Sequence, residues 1–243
     1  SATAAGTTSI SLGWAKNAVG HNVMVVRSTD SSFTAPTQGT AYTAGSSTIG
    51  GDLVIYNGNG TSYNDTGRAA GTTYYYKLYS VNNSYYSPGA SASKITIPAT
   101  PGTITGDATV CAGASGKTYS ISAVTGASGY TWTVPTGASI TAGQNTTQIT
   151  VTFGSSSGNV SVTAVNDCGS GTARTLAVTV NSAPAAPTLS AETSVTSSGF
   201  TANWQAVSGA TEYRLDVATS VGGGGGRHES ESRRHRHSRY KRR

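Results

Sequence analysis

His21 is the one histidine ahead of residue 227, so a serine-histidine-aspartate relay in the first 226 residues would have to use it. It stands in Gly-His-Asn, a turn context, and reads as a solvated turn residue. The acids are sparse: Asp30, Asp52, Asp65, Asp107, Asp167, Glu192, Glu212, Asp216 and two more in the C-terminal run. No two of them have the setting of a glycosidase couple. One stretch, NGNGTSYNDTG, gathers oxygens. Asn57, Asn59, Asn64 and Asp65 are ligand types that a hard cation such as Ca²⁺ takes, although the spacing is not that of an EF-hand. Asx-turn chemistry accounts for the same residues without a metal, and no other cofactor is expected.

The two cysteines, Cys111 and Cys168, are 57 positions apart, unlike the close pairs that hold metals. A reactive thiol would want a histidine nearby, and none is near in sequence. A disulfide joining two strands of one sandwich fits better. In the chain-entropy model it would stabilise by about 4 kcal/mol. It would also imply an oxidising, extracytoplasmic setting.

Nine of the thirteen tyrosines lie in the first 97 residues: Tyr42, Tyr56, Tyr63, Tyr74, Tyr75, Tyr76, Tyr79, Tyr85 and Tyr86. If Tyr74 and Tyr76 face a core, Tyr75 and Tyr79 share the outward face. Together with Tyr85 and Tyr86 they are candidate ligand contacts, able to stack on sugar rings or on a partner surface. Cross-strand packing on a half-buried sheet face is the plainer explanation.

The formal net charge of +6 is local. Residues 227–243 hold eight of the sixteen Lys and Arg and two of the ten acids, which leaves the first 226 residues neutral. Arg233, Arg234, Arg236, Arg239, Lys241, Arg242 and Arg243 are candidate polyanion contacts. A nucleic-acid partner is expected only if that run is native. It follows five glycines, a flexible linker, and should be disordered alone. The abrupt change of composition also fits an engineered linker and tag, or out-of-frame translation.

The elements that position these residues are strands. Glycine is 31 of 243 residues, serine and threonine together make up about 30 %, and charged residues only 11 %. This bias excludes a coiled coil, and no apolar run is long enough for a membrane-spanning helix. The chain opens SATAAG, with neither a charged nor an apolar leader region, so Ser1 reads as a mature N-terminus or an artificial boundary. Ile10, Leu12 and Trp14 alternate with polar residues, Val23 and Val25 follow, and DLVIY at 52–56 and TTYYYKLYSV at 72–81 continue the pattern. Turn signals lie at Asn57-Gly58, Asn59-Gly60 and Ser87-Pro88-Gly89. After PATPGT, a second series runs through KTYSISAV, GYTWTVPTG, TTQITVTFG and NVSVTAVNDCG, with Trp132 as its core aromatic. NSAPAAPT is a second, proline-stiffened linker. Beyond it, an offset of 190 aligns Ile10, Leu12 and Trp14 with Phe200, Ala202 and Trp204, and Val23 and Val25 with Tyr213 and Leu215. That repeat holds about three strands where a sandwich needs about seven. It should be poorly folded alone, or completed by another chain through β-augmentation.

The residues carry a resemblance. SISLGW, VMVVRS and GTTYYYKLYSV resemble a fibronectin type III domain. Gly71, Thr72 and Tyr74 match that family's G-T-x-Y, whose tyrosine makes the tyrosine corner. Arg68 stands where the family usually has leucine, which implies a loosely packed corner. FTANWQAVSGATEYRLDVATS resembles the first half of another such domain. Residues 103–180, with YTWTVPTG, ITVTFG and VTAVNDCGSG, are similar to PKD-like and Ig-like modules of large secreted Bacteroidetes surface proteins. The fold expected is all-β: tandem Ig-like and fibronectin III-like sandwiches, the last incomplete, with a disordered basic tail. The boundaries are 1–97, fibronectin III-like; 98–181, PKD-like or Ig-like; 182–221, a partial fibronectin III-like segment; and 222–243, the glycine linker and basic tail.

The resemblance implies a non-catalytic, extracellular structural or adhesive module of a larger secreted or surface-assembled protein. Its partners would be other modules or copies of itself. The alternative is a glycan- or polyanion-binding accessory module of a secreted enzyme.

Overall fold

The computed structural model describes residues 1–196 and 199–215. All regular structure among them is β, and no helix there is long and apolar enough to cross a membrane. Residues Ser1–Asn181 form one compact unit, and a second begins at Ser182.

The first sandwich sets a three-stranded sheet against a six-stranded one. The small sheet has the order β1 (Ala2–Ala4), β2 (Ser9–Gly13), β6 (Ser62–Thr66). The large one runs β4 (Thr48–Ile49), β5 (Asp52–Gly58), β3 (Asn22–Ser28), β7 (Thr73–Asn82), β8 (Tyr85–Tyr86), and β9 (Ala90–Ile95) also pairs with β7. Alternation explains the core between them. Ile10 and Leu12 meet Val23, Val25, Ile55, Tyr74 and Tyr76.

β3 is unusual because both its faces are buried, as its unbroken Val-Met-Val-Val run requires. Met24 and Val26 point away from the sandwich and join Ile49, Val54, Tyr79 and Tyr86 in a second cluster. The irregular segment 29–47 covers that cluster with Phe33 and Tyr42. A register shift between Val25 and Val26, against Tyr56 and Val54, leaves Ile55 as the extra residue of a bulge on β5. Leu53, Ile55 and Tyr56 thereby all serve the inner core while Val54 serves the outer one.

The second sandwich follows the same logic with one core. Its larger sheet has the order β10 (Thr109–Cys111), β17 (Arg174–Asn181), β15 (Gly158–Asn166), β12 (Gly129–Thr133), with β16 (Gly169–Ser170) folded back on β15. The facing sheet is β11 (Lys117–Ser120), β14 (Gln148–Thr152), β13 (Ser139–Ala142). Trp132, Tyr119, Ile149, Val151, Phe153, Val160 and Val162 fill the space between them. Trp132 satisfies its indole N–H on the Thr146 carbonyl, 2.8 Å away.

The second unit shows two strands, β18 (Leu189–Thr193) and β19 (Thr201–Trp204), paired antiparallel. Leu189, Val195, Phe200 and Leu215 are exposed, whereas Ile10 and Val25, the counterparts of Phe200 and Leu215 in the first sandwich, are buried on strands that pair with β6 and β7. A turn also recurs between units. Ala-Val-Thr-Gly-Ala-Ser-Gly-Tyr at 123–130 and Ala-Val-Ser-Gly-Ala-Thr-Glu-Tyr at 206–213 adopt one shape. In each, the valine N–H donates to the tyrosine hydroxyl, from Val124 to Tyr130 (2.8 Å) and from Val207 to Tyr213 (2.6 Å).

The expected disulfide does not form: Cys111 is free and exposed, Cys168 free and half-buried. Cys111 pairs with Asn181 at the end of β17, whose Val178 lies opposite Gly158 at the start of β15. Cys168 lies past the other end of β15, two residues beyond Asn166. At about 3.3 Å per residue the nine-residue β15 keeps the two thiols roughly 30 Å apart, whereas a bridge needs Cα atoms within about 7 Å. Being near the first and penultimate strands placed both cysteines in one sheet, but at opposite ends of it.

Candidate functional site

The densest set of charged and hydroxyl groups in the described residues surrounds Asp65. The sequence places Asp65 in an oxygen-rich loop, but residues 62–66 form strand β6, which pairs with β2 so that Asp65 stands opposite Ile10. Alternation turns Asp65 into the core, where it is 2 % exposed. Arg27 Nη1 donates to Asp65 Oδ1 at 2.8 Å, and Tyr76 Oη donates to Oδ2 at 2.9 Å. Arg68 Nε lies 3.3 Å from Oδ1 and also donates to the Thr66 carbonyl at 3.1 Å. Arg27 reaches across from the large sheet, so the network joins both sheets. One carboxylate faces two guanidinium groups, so the buried acid is paired rather than isolated in the core. Burial, and then the Asp65 charge, push the Tyr76 phenol well above the ordinary tyrosine range. Tyr76 therefore stays neutral and donates.

Arg68 also corrects the expectation of a loose tyrosine corner. The Tyr74 hydroxyl accepts from the Ala69 N–H at 3.0 Å, so the corner is made. The Arg68 guanidinium lies 5.4 Å from the Tyr74 ring centroid while its charge meets Asp65. It packs like the leucine and neutralises besides.

The other members of the cation-ligand set do not converge with Asp65. Asn64 points to the opposite face of β6 and accepts from the Ser11 hydroxyl at 3.4 Å. Asn57 donates to the Tyr42 carbonyl at 2.9 Å, and Asn59 accepts from Lys16. Neighbours along a strand point to opposite faces, so Asn64 and Asp65 cannot share one ion. No group of three metal-ligating side chains occurs among the described residues.

The tyrosines divide. Tyr75 and Tyr79 do share the face opposite Tyr74 and Tyr76, but that face is covered, not open. Tyr79 is 2 % exposed and Tyr86 8 %, both beneath segment 29–47. Gln38 holds the cover by accepting from the Tyr86 N–H (2.8 Å) and donating to its carbonyl (3.1 Å). The Tyr86 hydroxyl donates to the Thr40 carbonyl at 2.7 Å. Burial raises the Tyr79 and Tyr86 phenols above their ordinary range. Tyr85 alone of the four is fully presented, at the tip of the β7–β8 hairpin, where Asn83 and Ser84 take positive φ as a two-residue turn demands. Tyr75 is half-buried and lines a shallow hollow of about 260 Å³ with Ser31, Phe33, Ser91, Ala92 and Ser93. A second hollow, of about 330 Å³, holds the exposed Lys117–Asp107 pair at 2.8 Å. The hydrogen bond to Asp107 raises the Lys117 amine, so it remains charged. His21 meets Asn17 Nδ2 through Nδ1 at 2.9 Å, in a turn at the surface. Arg233, Arg234, Arg236, Arg239, Lys241, Arg242 and Arg243 lie outside the described residues.

What the sequence reading missed is the set Arg27, Arg68 and Tyr76. Parity held the signal: Arg27 shares its strand face with Val23 and Val25, so its charge had to find a partner inside.

Residues 97–178 match a family described as the PKD-like domain. No curated protein matches the chain. Among solved structures, the chain is similar to a two fibronectin type III domain segment from chicken tenascin, at 14 % identity and a TM-score of 0.41. That match covers 74 % of this chain and 96 % of the other. It is also similar to chicken CNTN1 FN1–FN3 domains, at 14 % identity and a TM-score of 0.30, covering 74 % of this chain and 66 % of that one.

Proposed function

We propose that the chain is a non-catalytic structural or adhesive module of an extracellular protein, a spacer or display element in a larger surface assembly. PKD-like modules commonly serve such roles. The observation that carries the reading is the Asp65 network. The residues best suited to chemistry, a carboxylate, two arginines and a phenol, are all spent on tying one sheet to the other. To test it, intact producing cells would be treated with protease and the chain followed by antibody. Loss of signal without lysis fits a surface module. A signal released only on lysis refutes it, as does turnover by the purified chain that D65N or Y85A abolishes.

A second reading, a glycan-binding accessory module, is favoured by the hollow at Tyr75, where Phe33 and Tyr75 stand beside Ser31, Ser91 and Ser93. Aromatic faces flanked by hydroxyls suit a sugar ring. Binding on a glycan array that Tyr75→Ala abolishes supports it, and silence of the unaltered chain ends it. Polyanion binding through residues 222–243 is tested by heparin retention before and after their deletion.

A further inference from the structure

We infer that residues 1–181 act as a single stiff strut, with Asn166 as the tie that holds the two sandwiches at one angle. The connection between them runs from Thr96 to Pro101 and overlaps PATPGT at 98–103, which reads in sequence as a linker. In the structure Thr96, Pro98 and Pro101 are buried. A flexible linker leaves its carbonyls to water, but here those of Thr96, Ile97 and Pro101 are taken. Asn166 Nδ2 donates to the Thr96 carbonyl at 2.9 Å and to the Gly126 carbonyl at 3.1 Å. Gly71 N donates to the Ile97 carbonyl at 3.1 Å, and Arg174 Nε to the Pro101 carbonyl at 3.0 Å. Asn166 Oδ1 in turn accepts from the Cys168 N–H at 2.9 Å, which sets the amide so that both its N–H groups face the junction.

The backbones also meet without side chains between them. Gly71 (φ +62°) and Gly126 (φ +70°) come from opposite sandwiches. A Cβ on Gly71 would overlap the Thr125 carbonyl, and one on Gly126 would overlap Gly71 itself. A Cβ on Gly171 would come within 2.6 Å of the Pro98 carbonyl. Contact this close leaves no room for a hinge, because bending toward it collides and bending away breaks the Asn166–Thr96 bond.

The experiment is residual dipolar coupling on the full chain, comparing the alignment tensors of residues 1–95 and 102–181. Asn166→Asp keeps the acceptor for the Cys168 N–H and removes both junction donors. Gly71→Ala adds the collision. Gly67→Ala is the control, since Gly67 has a similar φ (+73°) with nothing within 4 Å. The unaltered chain and G67A should each fit one shared tensor, while N166D and G71A should each need two. Separate tensors in the unaltered chain, or one tensor persisting in N166D, overturns the inference. If N166D fails to fold, G71A against G67A decides it: a shared tensor in both overturns it.

Discussion

At the scale of the residue, Asp65 illustrates how a core can hold a charge. Removing its charge by Asp65→Asn would leave Arg27 and Arg68 without a counter-ion. Breaking a buried pair in this way costs about 3–5 kcal/mol, to be read from denaturant midpoints. Tyr76→Phe removes one hydrogen bond and keeps the ring, and should cost about 1–3 kcal/mol. The same residue shapes the alkaline limb of stability. Tyr76, Tyr79, Tyr86 and Tyr119 all have phenols raised by burial. A group raised in the folded state binds its proton more tightly there than in the unfolded chain. Its contribution is therefore complete below about pH 10 and is lost as pH rises above that. Stability should hold level up to about pH 10 and then fall, and Tyr76→Phe should make the fall shallower.

At the scale of the element, the cover over β3 is what separates the tyrosines. Tyr79→Ala should cost about 3–5 kcal/mol, as for a large aromatic lost from a core. Tyr85→Ala, at an exposed hairpin tip, should stay within about 0.5 kcal/mol. Reversed magnitudes in urea titrations would mean that segment 29–47 does not lie on the sheet. Much of this was legible in the sequence. The alternation of Tyr74 and Tyr76 against Tyr75 and Tyr79 sorted the two faces correctly, and Trp132 was recognisable as core. Whether the outer face was open was not legible, because an irregular segment carries no periodicity to show where it lies. Val-Met-Val-Val was the missed sign, since a strand with one wet face would alternate. Residues 62–66 were misread for a related reason. Ser-Tyr-Asn-Asp-Thr has turn composition, and only its pairing with β2 makes it a strand.

At the scale of the whole molecule, the cysteines give the plainest check. Both thiols should take up iodoacetamide without prior reduction, Cys111 faster than Cys168 because it is more exposed. A protected pair released only by reductant would contradict the strand order of the second sandwich. The sequence placed both cysteines in one module correctly, but the distance along β15 depends on register, which spacing alone does not disclose.

The same strand order bears on what happens when the second sandwich is stretched. Its first strand, β10, lies beside its last, β17, and the two run parallel. Their bonds include Thr179 N–H to the Ala108 carbonyl and Ala112 N–H to the Asn181 carbonyl, each 2.9 Å. Tension entering at one end of the chain and leaving at the other pulls these neighbours lengthwise past each other. Their hydrogen bonds then share the load in shear, where an antiparallel terminal pair would open bond by bond like a zip.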